Sequence, residues 1–176
     1  RLPRAIRDVY KRQAARSALE ACVQTIPKEH WGALVVPLRR ALESTGAPSS
    51  HLPGLCQPRG ASPFVPVLLH GLLQGTAEQR EQGALGLADL AEKTSADAIK
   101  PFITAMVGPL IRLCGDRHAP PVKISIVTSL DTLVRNVPML VRPFYPQLQR
   151  SFQKALSDTS SGTVRMKAAP VSYTHL

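Results

Sequence analysis

Apolar residues recur at three-to-four spacing along most of the chain, which is the signature of amphipathic helices. In 14–26, Ala15, Ala18, Leu19, Cys22 and Ile26 share one face, and Pro27 ends the segment. Trp31, Leu34, Val35, Leu38 and Leu42 form an equivalent stripe in 28–44, closed by Ser44, Gly46 and Pro48. Further stripes predict helices over 64–74, 77–92, 96–114, 120–136 and 143–157, with a truncated one starting near Thr163. The β-branched run SIVTSL lies inside the helical stripe Ile126, Val127, Leu130, Leu133, Val134, so the whole chain reads as all-α. Between the stripes, 45–62 is dense in Ser, Gly and Pro and reads as a long loop, an exposed excursion between two packed units.

The stripes repeat. Lys100-Pro101-Phe102 returns as Arg142-Pro143-Phe144, Cys114-Gly115-Asp116 as Leu156-Ser157-Asp158, and Val122-Lys123 as Val164-Arg165, each 42 residues on. One step earlier, Leu87 and Leu90 match Leu130 and Leu133 at an offset of 43, which sets Arg80 opposite Lys123. Each unit is a helix, a short turn carrying an Asp, and a second helix opening on Val and a cation. This is the pattern of HEAT repeats, whose period is about 40–47 residues. The predicted fold is therefore an α-solenoid of antiparallel helix pairs, about three to four repeats, with 14–48 as partial HEAT-like helices, 49–63 as loop, and 64–169 as repeats with the last truncated. Pro101 and Pro143 suit a first helical turn, where a missing N–H costs nothing. Pro109 and Pro146 lie deeper and are expected to kink their helices. Asp116 and Asp158 are expected to accept backbone N–H groups in the turns, with Lys123 and Arg165 reaching a neighbouring turn's carboxylate.

Composition narrows the function classes. The 176 residues are 44% hydrophobic and 19% charged, which argues against disorder. No apolar run approaches the ~18 residues of a membrane span. The net charge is +10, and clustered Lys and Arg invite a nucleic-acid reading. Four of those units, however, sit in RLPRAIRDVYKRQ at 1–13, which begins without Met and lacks the apolar stretch of a signal peptide. This head and the tail 170–176 resemble translated linker sequence and are set aside as foreign. Cys22, Cys56 and Cys114 show no CxxC or zinc spacing and read as three buried, reduced thiols.

Catalytic chemistry finds little footing: there is no GxSxG, HExxH, P-loop or GxGxxG. His51 and Cys56 supply only two metal ligands. Gly83-Ala84-Leu85-Gly86 mimics a GXXG nucleic-acid clamp but sits in an amphipathic helix, where close helix packing is the better account. No cofactor, metal, membrane or small-molecule substrate is implied. Arg112, Arg117, Lys123, Arg142, Arg150, Arg165 and Lys167 remain as partner-binding candidates. One account makes Lys123 and Arg165 turn ligands and the rest a solvated ridge; the other makes a basic ridge that meets an acidic protein surface or ribosomal RNA.

The runs GTAEQREQGALGLADLAEKTSADAIKPF (75–102), GPLIRLCGDR (108–117), VKISIVTSLDTL (122–133), RPFYPQLQRSFQKALSD (142–158) and VRMKAA (164–169) carry a more specific likeness. Over about 49–169 the chain resembles the C-terminal portion of the general-control translational activator family. These are giant HEAT-repeat proteins that activate the protein kinase of the translation initiation factor 2 alpha subunit. The resemblance implies a non-enzymatic cytoplasmic scaffold on translating or stalled ribosomes. It would bind the kinase's RWD domain and pass on the amino-acid starvation signal. Gly83 departs from the family's Ala, an exchange that in a bare helix costs up to ~1 kcal/mol. Periodicity alone would equally permit a generic HEAT adaptor of the nuclear-transport or phosphatase-scaffold type. A piece of such an array exposes apolar faces to solvent, so the isolated polypeptide is expected to self-associate or melt readily. Sedimentation and thermal unfolding check this, a sharp monomeric high-temperature transition being the contrary result.

Overall fold

The computed structural model describes residues 14, 17–18, 20–45, 51–115, 117–159 and 161–174, with side chains to residue 169. The head 1–13 and the anchor Asp116 lie outside the described residues. The segment 20–25 is helical, and a 3₁₀ turn at Lys28–His30 leads into α1 (Trp31–Ser44). Then follow α2 (Val65–Gln74), α3 (Ala77–Glu92), α4 (Ala96–Ile99), α5 (Ile103–Cys114), α6 (Pro120–Asn136), α7 (Pro138–Val141), α8 (Tyr145–Leu156) and α9 (Gly162–Thr174). No strand occurs among the described residues.

Consecutive helices pair as α2/α3, α5/α6 and α8/α9, and α1 packs on both α2 and α3 as the second helix of a preceding unit. The second helices α1, α3, α6 and α9 stack in a continuous row, whereas the first helices α2, α5 and α8 touch one another sparingly. The repeat anchors explain this register. Leu87, Leu90, Leu130 and Leu133, matched in sequence, are all sealed from solvent, as are Val122 and Val164 at the heads of their helices. Full burial of each such side chain is worth about 1.5–3 kcal/mol, and part of the burying surface comes from the neighbouring pair.

Close approach of α3 to its neighbours depends on small residues. A Cβ on Gly83 would stand 2.8 Å from the Leu68 carbonyl oxygen and 2.8 Å from the Leu72 nitrogen, both α2 backbone. One on Gly86 would stand 2.6 Å from Leu68 Cδ2. On its other side α3 offers Ala84, whose carbonyl accepts a 2.7 Å hydrogen bond from buried Ser129 of α6. The glycine pair therefore serves helix packing. α3 is also capped at its start, where Thr76 and Gln79 form a reciprocal capping box.

Three expectations are revised. The predicted 96–114 helix is interrupted by a 3₁₀ turn at Lys100–Phe102, repeated at Arg142–Phe144, because Pro101 and Pro143 supply no N–H and tighten the turn. Pro146 falls in the first turn of α8 rather than deep inside it, so no kink is required there; Pro109 is interior to α5. In its described part, 51–62, the Ser/Gly/Pro segment packs back on the fold instead of standing clear of it. Leu55 and Ala61 are buried, Leu52 N–H donates to the Lys93 carbonyl at 2.8 Å, and Thr94 Oγ1 donates to the Leu55 carbonyl at 2.8 Å. The loop therefore seals the end of α3 through backbone bonds that leave no periodic trace in sequence.

Arg39 ties α1 to α3 through Asp89, 3.2 Å away. Burial nevertheless holds the Asp89 carboxyl above its ordinary range, with Arg39 opposing. Because the folded value exceeds the unfolded one, this group favours folding most at acid pH, and that contribution is lost as pH rises through the folded value.

Replacing Gly83 with Ala, the residue the family resemblance favours, is expected to destabilise the chain by about 1–3 kcal/mol, since rigid backbone faces the added methyl. Urea denaturation measures this, and a stabilised variant would contradict the packing account.

Candidate interaction edge

The short turns joining first to second helices bring the repeat's charged residues together. At the α8–α9 turn, Asp158 Oδ2 receives Lys123 Nζ from α6 at 2.6 Å, and Asp158 Oδ1 accepts the Ser161 N–H at 3.1 Å. The Lys123 and Asp158 side chains are only 16% and 11% exposed. Arg165, the repeat counterpart of Lys123, donates instead to the Asp158 backbone carbonyl at 2.6 Å. Arg80 similarly donates to the Gly75 carbonyl at 2.9 Å. Sequence spacing anticipates the Lys123–Asp158 pair across two repeats; the Arg165 carboxylate contact it also anticipates becomes a carbonyl contact. Lys123 thus belongs to the internal clamp, which withdraws it from the surface candidates.

Lys154, which the sequence reading left out, closes the same junction. It lies in the last turn of α8 and donates to the Gly115 carbonyl at the end of α5, 2.7 Å away, capping that helix's negative end. Its signal was available: Lys154 stands 42 residues after Arg112, so both repeats place a cation in the last turn of the first helix.

Arg112, Arg117, Arg150 and Arg165 are exposed beside these two turns, Arg150 one helical turn before Lys154. Lys167 is exposed on α9. Arg142 is exposed as well but precedes α8, whose 12 residues put it about 18 Å from the turn edge. The seven candidates therefore divide into an internal ligand, an edge group and a distant arginine. Pro101 and Pro143 shape the opposite ends of the first helices, far from this edge.

Cys114 lies under the clamp among Gly115, Lys123, Lys154 and Asp158. Burial pushes its thiol up to about 11, against the pull of Lys154 and Lys123, so it stays protonated at neutral pH. The expectation of three buried thiols fails elsewhere: Cys22 is exposed and Cys56 half-buried. The helix at 20–25 turns Val23 toward the core and Glu20 toward Ser62 and Arg59, which rotates Cys22 outward. Among the described residues, no three His, Cys, Asp or Glu side chains are grouped to hold a metal, and no single helix is long and apolar enough to cross a membrane.

Stacked antiparallel pairs with a 42-residue period and a cation–Asp clamp between turns define a HEAT-type α-solenoid. The family model for stalled ribosome sensor GCN1-like HEAT repeats matches residues 7–59. The eIF-2-alpha kinase activator GCN1 of Saccharomyces cerevisiae is 39% identical over 153 residues, 87% of this chain and 6% of that protein. The stalled ribosome sensor GCN1 of Mus musculus is 40% identical over 155 residues, and Protein ILITYHIA of Arabidopsis thaliana 39% over 160, each covering 86% of this chain and 6% of the relative. No solved structure matches. The chain belongs to the GCN1-like family of HEAT-repeat proteins and spans about 6% of the length of these relatives. The family match begins at residue 7, so 7–13, set aside above as linker, align with family sequence.

Lys123→Ala is expected to cost about 2–3 kcal/mol, because a nearly buried carboxylate loses its cation. Arg165→Ala, at an exposed position, is expected to cost less than about 1 kcal/mol. Urea denaturation of both variants separates clamp from rim, and equal losses would contradict the division.

Proposed function

We propose that this chain is a non-enzymatic scaffold segment of a cytoplasmic translational activator. In this reading it helps hold a ribosome and the eIF2-alpha kinase, through the kinase's RWD domain, close enough for kinase activation on amino-acid starvation. Identity of about 39–40% to proteins named as kinase activator and stalled ribosome sensor, sustained over 86–87% of this chain, carries the reading. The repeat geometry supports it. A solenoid has an extended, solvent-facing surface and rigid neighbour-to-neighbour packing, which suit it to hold two large partners. Once one partner is bound, the second contact becomes effectively intramolecular, so weak individual surfaces suffice. The exposed Arg112, Arg117, Arg150, Arg165 and Lys167 are the side chains assigned to partner contact within this segment.

A chimera in which this chain replaces the matching segment of the yeast relative tests the proposal. It is expected to sustain starvation-induced phosphorylation of the initiation factor and co-sedimentation with ribosomes. Arg112→Glu with Arg117→Glu is expected to reduce one or both at least fivefold while the chimera remains folded. An inactive but folded wild-type chimera would sink the scaffold reading; unchanged activity of the charge-reversed form would remove the two arginines from it.

A further inference from the structure

Charge is segregated along the solenoid. Residues 14–99 carry seven Lys and Arg against eight Asp and Glu, whereas 100–169 carry ten against three. Of those three acids, Asp158 is engaged by Lys123 and Asp131 by Arg135 at 2.8 Å. Asp116, outside the described residues, is the third. The cations left over are not evenly spread. Arg112, Arg117, Arg150, Lys154 and Arg165 are exposed at or within one helical turn of the α5–α6 and α8–α9 turns. Lys154's bond to Gly115 fixes those two turns side by side.

We infer that this turn edge grips the phosphate backbone of double-helical RNA without reading its sequence. Neighbouring helices pack 8–10 Å apart, close to the ~8 Å Debye length at physiological salt, so charges on adjacent turns reinforce one another. The centre of a protein interface is richer in apolar and poorer in charged side chains than its rim, and among the described residues the edge exposes no large apolar side chain. The large hydrophobics that stand exposed among the described residues are Met139 and Met166. Met139 sits in α7, beyond the far end of α8, and Met166 follows Arg165 but projects about 100° away around α9. Single-stranded nucleic acid is disfavoured for a different reason, since it is held by aromatic stacking. The four aromatics of 100–169 are committed to the fold: Phe152 is fully buried, and Phe102, Phe144 and Tyr145 pack on the core. Cations without apolar anchors or stacking rings match the phosphates of a duplex. The choice of RNA over DNA rests on the ribosome association proposed above, whereas the attraction for duplex phosphates follows from the exposed cations alone.

Fluorescence anisotropy of the 176-residue chain with a labelled 20-base-pair RNA duplex tests the inference, circular dichroism confirming the fold of each variant. Binding is expected to fall with salt at a log–log slope of about −4, near −0.9 per phosphate neutralised. Arg112→Gln with Arg117→Gln is expected to weaken binding at least tenfold and to reduce the slope by about 2. Lys100→Gln with Arg142→Gln removes the same charge from the opposite helix ends and is expected to change affinity less than twofold. Equal loss in both variants would reduce the effect to net charge and overturn the edge. Polyglutamate bound as tightly as the duplex would point to an acidic protein instead, and tighter binding of an unstructured single strand or a DNA duplex would overturn the choice of ligand, as would no binding at 50 mM salt. The assay uses neither kinase nor ribosome, so a folded chimera that fails above leaves an observed duplex contact standing, and a missing duplex contact overturns the edge while an active chimera still supports the scaffold.

Discussion

The face shared by consecutive helix pairs is the constraint on which the molecule depends. A pair such as α5/α6 has an apolar stripe on each helix but only one partner helix of its own, so the rest of its hydrophobic surface is covered by the pairs before and after it. The burden falls on the row of second helices. There Leu87, Leu90, Leu130 and Leu133 lie sealed, and α6 approaches the Ala84 side of α3 closely enough for Ser129 to hydrogen-bond a main-chain carbonyl of the neighbouring unit, while Gly83 and Gly86 seat α3 against α2 of its own pair. The sparser contact among α2, α5 and α8 leaves the other edge of the solenoid more dependent on polar ties.

Those ties explain why the repeat keeps charged residues at fixed places. Lys123 crosses from one unit to the Asp158 turn of the next, and Lys154 returns to cap the end of α5. Both bonds join the same two turns, one by charge pairing and one by helix capping. A structural clamp and a basic surface therefore occupy one edge: the cations turned inward fix the spacing of the turns, and those turned outward, Arg112, Arg117, Arg150 and Arg165, are displayed at that spacing. In a HEAT solenoid this couples surface presentation to repeat packing, since any change in how the pairs stack moves the charges with it.

Much of this was legible in the residues. The period of 42 named the architecture, because similar anchors at one offset mark the same place in each helix pair, as the buried Val122 and Val164 show. The helices 77–92 and 120–136 emerge with their expected bounds, each having a clear stripe and a start signal. Less regular features escaped. The loop of 45–62 reads as an exposed excursion because the packing of its described part, 51–62, runs through main-chain groups and two apolar residues, Leu55 and Ala61, without periodicity. Cys22 looked buried because a helical stripe gives an apolar face but not the rotation at which the helix docks, and here Val23 and Glu20 set that rotation.

The sequence by itself determined that this is a helical repeat, where its units begin, and which family it resembles, since these rest on local periodicity and short-range anchors. Only the tertiary structure decided which cations are spent inside the fold and which face outward. Lys123 and Arg165 hold the same repeat position, yet one is nearly buried against the carboxylate of the following turn and the other lies exposed against a main-chain carbonyl. Position within a repeat is a local property, whereas the partner that a side chain reaches belongs to the neighbouring unit and exists only once the two are stacked.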